Sequence, residues 1–184
     1  LGGDYPDYTD SRLISPPFEV PAVAGDERVE LRFWQWYDYG DGHGEVQVST
    51  DGGQSWQTVA TPVAADQACP FWSPAVADLT AYAGQRIQVA FYHQAGFYSD
   101  PGWYIDDLEL WRGVPSVSWP EGFESGWGDW HADRGVWEVG EPGSGPGSAH
   151  SGSSVAGTVL GGDYPDYTDS RLISPPFEVP AVAG

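Results

Sequence analysis

A chain of 184 residues that sets 27 acidic side chains against 7 arginines, with no lysine, carries a formal charge of −20. It lacks the cations that would replace counterions on nucleic acid or an anionic membrane. With 40% apolar residues, ten Trp and ten Tyr, it has the makings of a packed core and is not a disordered chain.

The chain opens on LGGDYPDYTDSRLISPPFEVPAVAG, Leu1 to Gly25, and the same twenty-five letters return at Leu160 to Gly184, an offset of 159 residues. That period is too long for a solenoid turn and suits one whole domain. With no Met anywhere and both ends inside the repeated unit, the sequence reads as a window on a longer tandem array of near-identical beads. Within the first copy, Arg12 to Ser15 is a short strand stopped by Pro16 and Pro17, and Phe18 to Val20 alternates as a half-buried strand does. Arg28 to Tyr39 is a long strand: Val29, Leu31 and Phe33 mark its core face, and Trp34 belongs to the opposite, aromatic-bearing one.

After the flexible loop Gly40–Gly44, Glu45 to Thr50 alternates strictly and turns through Asp51-Gly52-Gly53 into a returning strand, Gln54 to Ala60. Ser49 to Trp56 fits S-x-D-x-G-x-x-W, the Asp-box hairpin, in which the Asp satisfies turn amides and the Trp packs beneath. It supports a hairpin and carries no catalytic meaning. Thr61 to Pro74 reads as a Pro/Ala-rich connection holding Cys69; Ala75 to Leu79 is extended and Thr80 to Gln85 a compact turn. Arg86 to His93 and Trp103 to Trp111 are strands, separated by the loop Gln94–Gly102. Residues 112–118 are the only linker. Beyond it Phe123-Glu124 and Val136 to Val139 read as short strands and Glu141 to Ser154 as a Gly/Ser/Pro loop. No ten-residue stretch has helical periodicity. The prediction is an all-β chain of short strands, a sandwich or barrel. Residues 1–111 form the larger C-terminal part of one bead, and residues 119–184 the N-terminal part of the next.

Several strings, in this order, resemble the jelly-roll modules of the cleaved-adhesin, MAM-like and choice-of-anchor J group of secreted proteins. They are Gly122 to Gly126, SRLISPPFEV, Leu31 to Trp34, Val46 to Trp56, Asp78 to Gln85 and Gly102 to Leu108. The resemblance implies an antiparallel two-sheet jelly-roll sandwich without catalytic machinery. It also implies a structural calcium near the first and last strands, with Glu124, Asp106 and Asp107 at the carboxylate positions. The absence of Lys and Asn, and the nearly unchanged tandem copies, depart from that group. Without those residues the chain has neither Lys–Asn isopeptide staples nor N-glycosylation sequons.

Calcium takes six to eight hard oxygens, and loops rich in Asp and Gly supply them. Asp4, Asp7 and Asp10, repeated as Asp163, Asp166 and Asp169, are therefore candidate ligands beside Glu124, Asp106 and Asp107. A second group is Asp38, Asp41 and Glu45. The alternative is that these acids cap turns or face solvent. His43, His93, His131 and His150 are too dispersed for zinc, no G-x-S-x-G string is present, and acids are so numerous that any glycosidase-like pair could be drawn. Cys69, the one thiol, is either a small buried residue or a link between beads. Trp34, Trp36, Tyr37, Tyr39 and Tyr92 are either covered by loops, buried against the next bead, or free to stack on sugar.

Together these features predict a non-enzymatic extracellular or cell-surface structural protein. It would be a tandem-bead filament or adhesin stiffened by calcium, whose partners are neighbouring beads and, less directly, surface glycan. The alternative is a carbohydrate- or protein-binding accessory module of a large secreted hydrolase. Neither involves nucleic acid or membrane insertion by this stretch.

Overall fold

The fold is built outward from one strand. In β3 (Arg28–Tyr39) the period-two pattern runs unbroken, so that Val29, Leu31, Phe33, Gln35, Tyr37 and Tyr39 all point inward. β3 is the middle of a three-stranded antiparallel sheet between β6 (Gln67–Asp78) and β8 (Gly102–Gly113). Facing it is a second antiparallel sheet of β1 (Asp10–Ile14), β7 (Arg86–Gln94), β4 (His43–Ser49) and β5 (Gln57–Val63), in that spatial order, with β2 (Phe18–Glu19) further along β7. The chain passes repeatedly between the two sheets, and Val46, Val48, Ile87, Val89 and Phe91 close the core against β3. Phe33 meets Phe91 edge-on at 5.2 Å, and Trp103 seals the pair from one end. The expected antiparallel sandwich is thus present. This computed structural model describes residues 3–64 and 67–179; the outermost residues of both copies of the repeated stretch, 1–2 and 180–184, lie outside it.

The Asp-box hairpin has the expected geometry. Asp51 Oδ1 accepts the amides of Gln54 and Ser55, both at 3.0 Å, and Ser49 Oγ accepts that of Gly53 at 2.8 Å. The hydrogen bonds that Asp51 itself accepts, most of all that from the Ser55 hydroxyl to Oδ2, hold its carboxyl well below its usual range.

Two readings change. The Pro/Ala stretch expected as a connection is largely strand: β6 runs from Gln67 to Asp78 through Pro70 and Pro74. It borders its sheet, where a missing N–H facing away from the partner costs no ladder bond, and its pairing with β3 shifts between Gln35 and Tyr37, close to Pro70. Phe123-Glu124 is not a strand: Phe123 takes a left-handed conformation (φ 57°) while its amide donates to Glu121 Oε1 at 2.7 Å. Beyond the linker lie β9 (His131–Asp133), β10 (Trp137–Gly140), β11 (Val155–Thr158) and β12 (Arg171–Ile173), paired as β10–β11 and β9–β12.

Candidate functional site

The segment after the linker lies against the sandwich before it, and the contact is organised by Arg32. Its strand position turns it to the outer face of β3, away from the core that Leu31 and Phe33 fill. There the guanidinium lies 3.8 Å from the centre of the Trp111 ring and donates to Glu30 Oε2 at 2.9 and 2.8 Å. Its remaining nitrogen donates to Asp129 Oδ1 at 2.8 Å, 97 positions further along the chain. The other Asp129 oxygen accepts the Ser116 amide at 2.9 Å, which ties the linker into the same network. Around the pair is a cleft of about 210 Å³ bordered by Trp34, Pro74, Trp127, Trp130 and His131. Planar guanidinium geometry suits this arrangement, because it stacks on an aromatic face and binds two carboxylates at once.

A few residues on, Gly135 closes against β6. A Cβ at this position would fall 2.5 Å from Ser73 Oγ, 2.7 Å from Ser73 Cβ and 3.0 Å from Cys69 Sγ. Beneath it Tyr37 and Cys69 are wholly buried. Burial pushes the Cys69 thiol up to about 12, although its hydrogen bond to the Phe71 carbonyl at 3.0 Å works the other way. Cys69 is therefore the small buried residue of the two readings. The Tyr37 hydroxyl, whose pKa burial also raises, is buried without a hydrogen-bond partner among the described residues. Burial lowers the pKa of His131, with Arg32 adding to the effect and Asp133 opposing it.

The carboxylates expected to hold calcium are scattered. Among the described residues no three His, Cys, Asp or Glu side chains converge as a metal cage. Glu124 accepts the amides of Ser153 and Ser154 at 3.0–3.1 Å, which lowers its pKa, and so clasps the loop before β11. Asp106 Oδ1 accepts the Asp107 amide, and Asp107 itself is left-handed (φ 48°) on exposed β8. Asp7 accepts the Ser99 hydroxyl; Asp169 pairs with Arg134 at 2.6 Å; Asp163 and Asp166 lie on the exposed loop before β12. Asp10 starts β1 opposite Gln94, while the pKa of Asp38 is raised by burial first and then by the nearby carboxylates of Asp100 and Asp4. In the second group, Asp41 binds the amides of Gly96, Phe97 and Tyr98 at 2.6–3.2 Å, whereas Glu45 accepts from Gln47 and Thr58. Asp38, Asp41 and Glu45 thus serve different contacts.

Of the aromatic residues, Tyr37 and Tyr39 belong to the core face, because the alternation of β3 continues through them in step with Phe33. Trp34 borders the cleft under the Trp127–His131 segment. Tyr92 lies 4.3 Å beneath the Arg12 guanidinium, which also reaches Trp56 at 5.8 Å. Trp36 is partly exposed and stands edge-on to Tyr104 at 5.4 Å, and exposed Trp72 of neighbouring β6 adds a further accessible aromatic side chain. Sequence reasoning missed the polar cluster at the other end of β3. The His93 ring is hydrogen-bonded to Tyr39 Oη through Nδ1 and to Thr9 Oγ1 through Nε2 (2.8 Å), one nitrogen donating and the other accepting, while Tyr5 packs on the ring at 4.8 Å and burial lowers the histidine pKa. These residues come from three stretches, Tyr5–Thr9, Tyr39 and His93, that are far apart in sequence and carry no spacing signal.

No family model matches the chain. It is similar to bacillopeptidase F of Bacillus subtilis (strain 168), with 31% identity over 113 residues, or 60% of this chain. The matched part spans only 8% of that protein's length.

Proposed function

We propose that this chain is a non-enzymatic structural unit of an extracellular tandem-bead protein, a filament or surface adhesin in which each sandwich is held to the material following it. The observation that carries the reading is the contact across the linker. Arg32, stacked on Trp111, binds Asp129, and Gly135 closes on Cys69 and Ser73. A short Pro-bearing linker and such a contact restrict the angle between successive units. The charge of −20 keeps separate filaments apart by repulsion. Small-angle scattering from chains of one, two and three periods tests this: the longest dimension should rise in equal steps. Growth as the square root of the number of periods, the signature of freely jointed beads, would contradict it.

A second reading, an accessory module of a secreted hydrolase, is favoured by the similarity to a stretch of bacillopeptidase F. In that case Trp36 and Tyr104 would offer the stacking surface for sugar or protein. Retention of the 184-residue chain on immobilised polysaccharide, lost in Trp36→Ala, is the result expected of this alternative.

A further inference from the structure

The repeated stretch is seen in two settings, and they use opposite edges of one strand. In the first copy Ser15 N donates to the Val89 carbonyl at 2.9 Å and Ala95 N to that of Thr9 at 2.8 Å. Odd-numbered residues of β1 therefore turn their backbone groups toward β7, whereas Arg12 and Ile14 turn theirs outward. In the second copy the position of Arg12 is occupied by Arg171, whose amide donates to Asp133 Oδ1 at 2.7 Å, toward β9. The ladder there is Arg171–Asp133, Leu172–Ala132 and Ile173–His131. Pairing with β7 and pairing with β9 thus do not compete for the same backbone groups. One strand can carry both.

The outer edge of β1 has no strand partner among the described residues, and neither has that of β8 across from it. Between them is an apolar groove of about 550 Å³ lined by Leu13, Ile14, Phe18, Val89, Leu108 and Leu110. Leu13 is 70% exposed although it pairs with Phe91, which is 8% exposed in the core. A side chain facing the core row yet open to water marks a missing neighbour.

We propose that this edge and groove receive the His131–Thr158 segment of another copy of the repeat, so that β9 adds to β1 and the sheet reads β9-β1-β7-β4-β5. This deepens the tandem-bead reading and rests on it. The registers already present fit the addition. On one face Asp133, Arg12, Tyr92 and Glu45 form a row; on the other Ala132, Leu13, Phe91 and Val46 do. The first row places a carboxylate beside the arginine, as Asp133 already binds Arg171 Nε at 2.7 Å. The second places buried Ala132 beside Leu13. The β10–β11 hairpin, between β9 and the repeated strand, supplies the bulk that covers Leu108 and Leu110. Of the two identical strands, β12 offers β9 a three-residue ladder alone, whereas β1 offers the same ladder backed by a whole sheet. Exchange between identical strands favours the second. In the 184-residue chain the donor is a second molecule, and the contact is head-to-tail and open-ended.

Trapping by disulfide tests this on the whole chain. Because Leu13 turns its amide to β7, Leu13 and Ala132 would form a non-hydrogen-bonded pair with Cα atoms about 4.5 Å apart, within the range of about 4.4–6.8 Å that a disulfide spans. Cys69 is buried and does not interfere. Oxidised Leu13→Cys/Ala132→Cys should give a ladder of covalent dimers and larger species. Adding Ile173→Pro, which removes a β12 amide facing β9, should enrich it. Monomer alone in both backgrounds, free or internally linked, would overturn the proposal. So would equal dimer formation by Leu13→Cys without its partner, which would mean that two β1 edges pair with each other. Leu13→Asp, at an exposed side chain that the sandwich does not need, should abolish concentration-dependent sedimentation; unaltered sedimentation would also count against the proposal. The scaling of longer chains is measured separately, so a monomeric result overturns this closure and leaves the tandem-bead reading standing.

Discussion

Gly135 shows how closely single residues constrain the contact. Its neighbours Ser73 and Cys69 are themselves buried in the sandwich and cannot retreat. Gly135→Ala should therefore cost about 1–3 kcal/mol, the usual range for overpacking, measured as a lower denaturant midpoint without a change in slope. His131 gives a pH signature. Its folded pKa lies below the ordinary value of about 6.5 that it keeps in the unfolded chain. As pH falls below that value the unfolded state binds the proton first, so stability declines until the folded histidine titrates as well. Glu124 and Asp41, with depressed pKa values, act in the same direction but in a more acidic window: their contribution is present above the ordinary carboxylate range and lost as pH falls through the lower folded values. Melting temperature should drop between about pH 7 and 5, less in His131→Gln; equal slopes in both proteins would contradict this. At this scale the sequence was legible where a local string determines the geometry, as in Ser49–Trp56. It was not where burial depends on distant packing. Tyr37 and Tyr39 stand beside Trp34 and Trp36 as candidate contact aromatics, yet their period places them inward, and the partners of His93 come from two separate segments, Tyr5–Thr9 and Tyr39.

Elements were read more completely than their pairing. Alternation located β3, β4, β7 and β8 to within a few residues. β6 escaped because Pro70 and Pro74 argue against a strand unless its edge position is known, and edge position is a property of the whole sheet. The acidic candidates were legible as residue types but not as contacts. Glu124 holds a loop 29 positions away through amides that any sequence would supply. Glu124→Ala should therefore loosen the Gly152–Ser154 loop, read as faster amide exchange at Ser153 and Ser154, to the same extent with calcium as with chelator. A loss confined to calcium-containing buffer would instead make Glu124 a metal ligand, as the resemblance implied.

At the scale of the molecule, composition and repetition carried most of what could be inferred. A charge of −20 with no lysine argues against polyanionic partners, and the 159-residue offset is what the tandem-bead proposal starts from. What neither announces is how the segment after the linker meets the sandwich, because a contact such as Arg32 with Asp129 joins side chains 97 positions apart and leaves no periodic trace. That contact is the centre of the account, and a double-mutant cycle across the linker measures it most directly. Arg32→Ala, Asp129→Ala and the double variant, each unfolded by denaturant, should show a coupling of about 1 kcal/mol, as expected for neighbours sharing a partly buried ion pair. Additivity to within about 0.3 kcal/mol would mean that the segment after the linker does not rest on the sandwich before it.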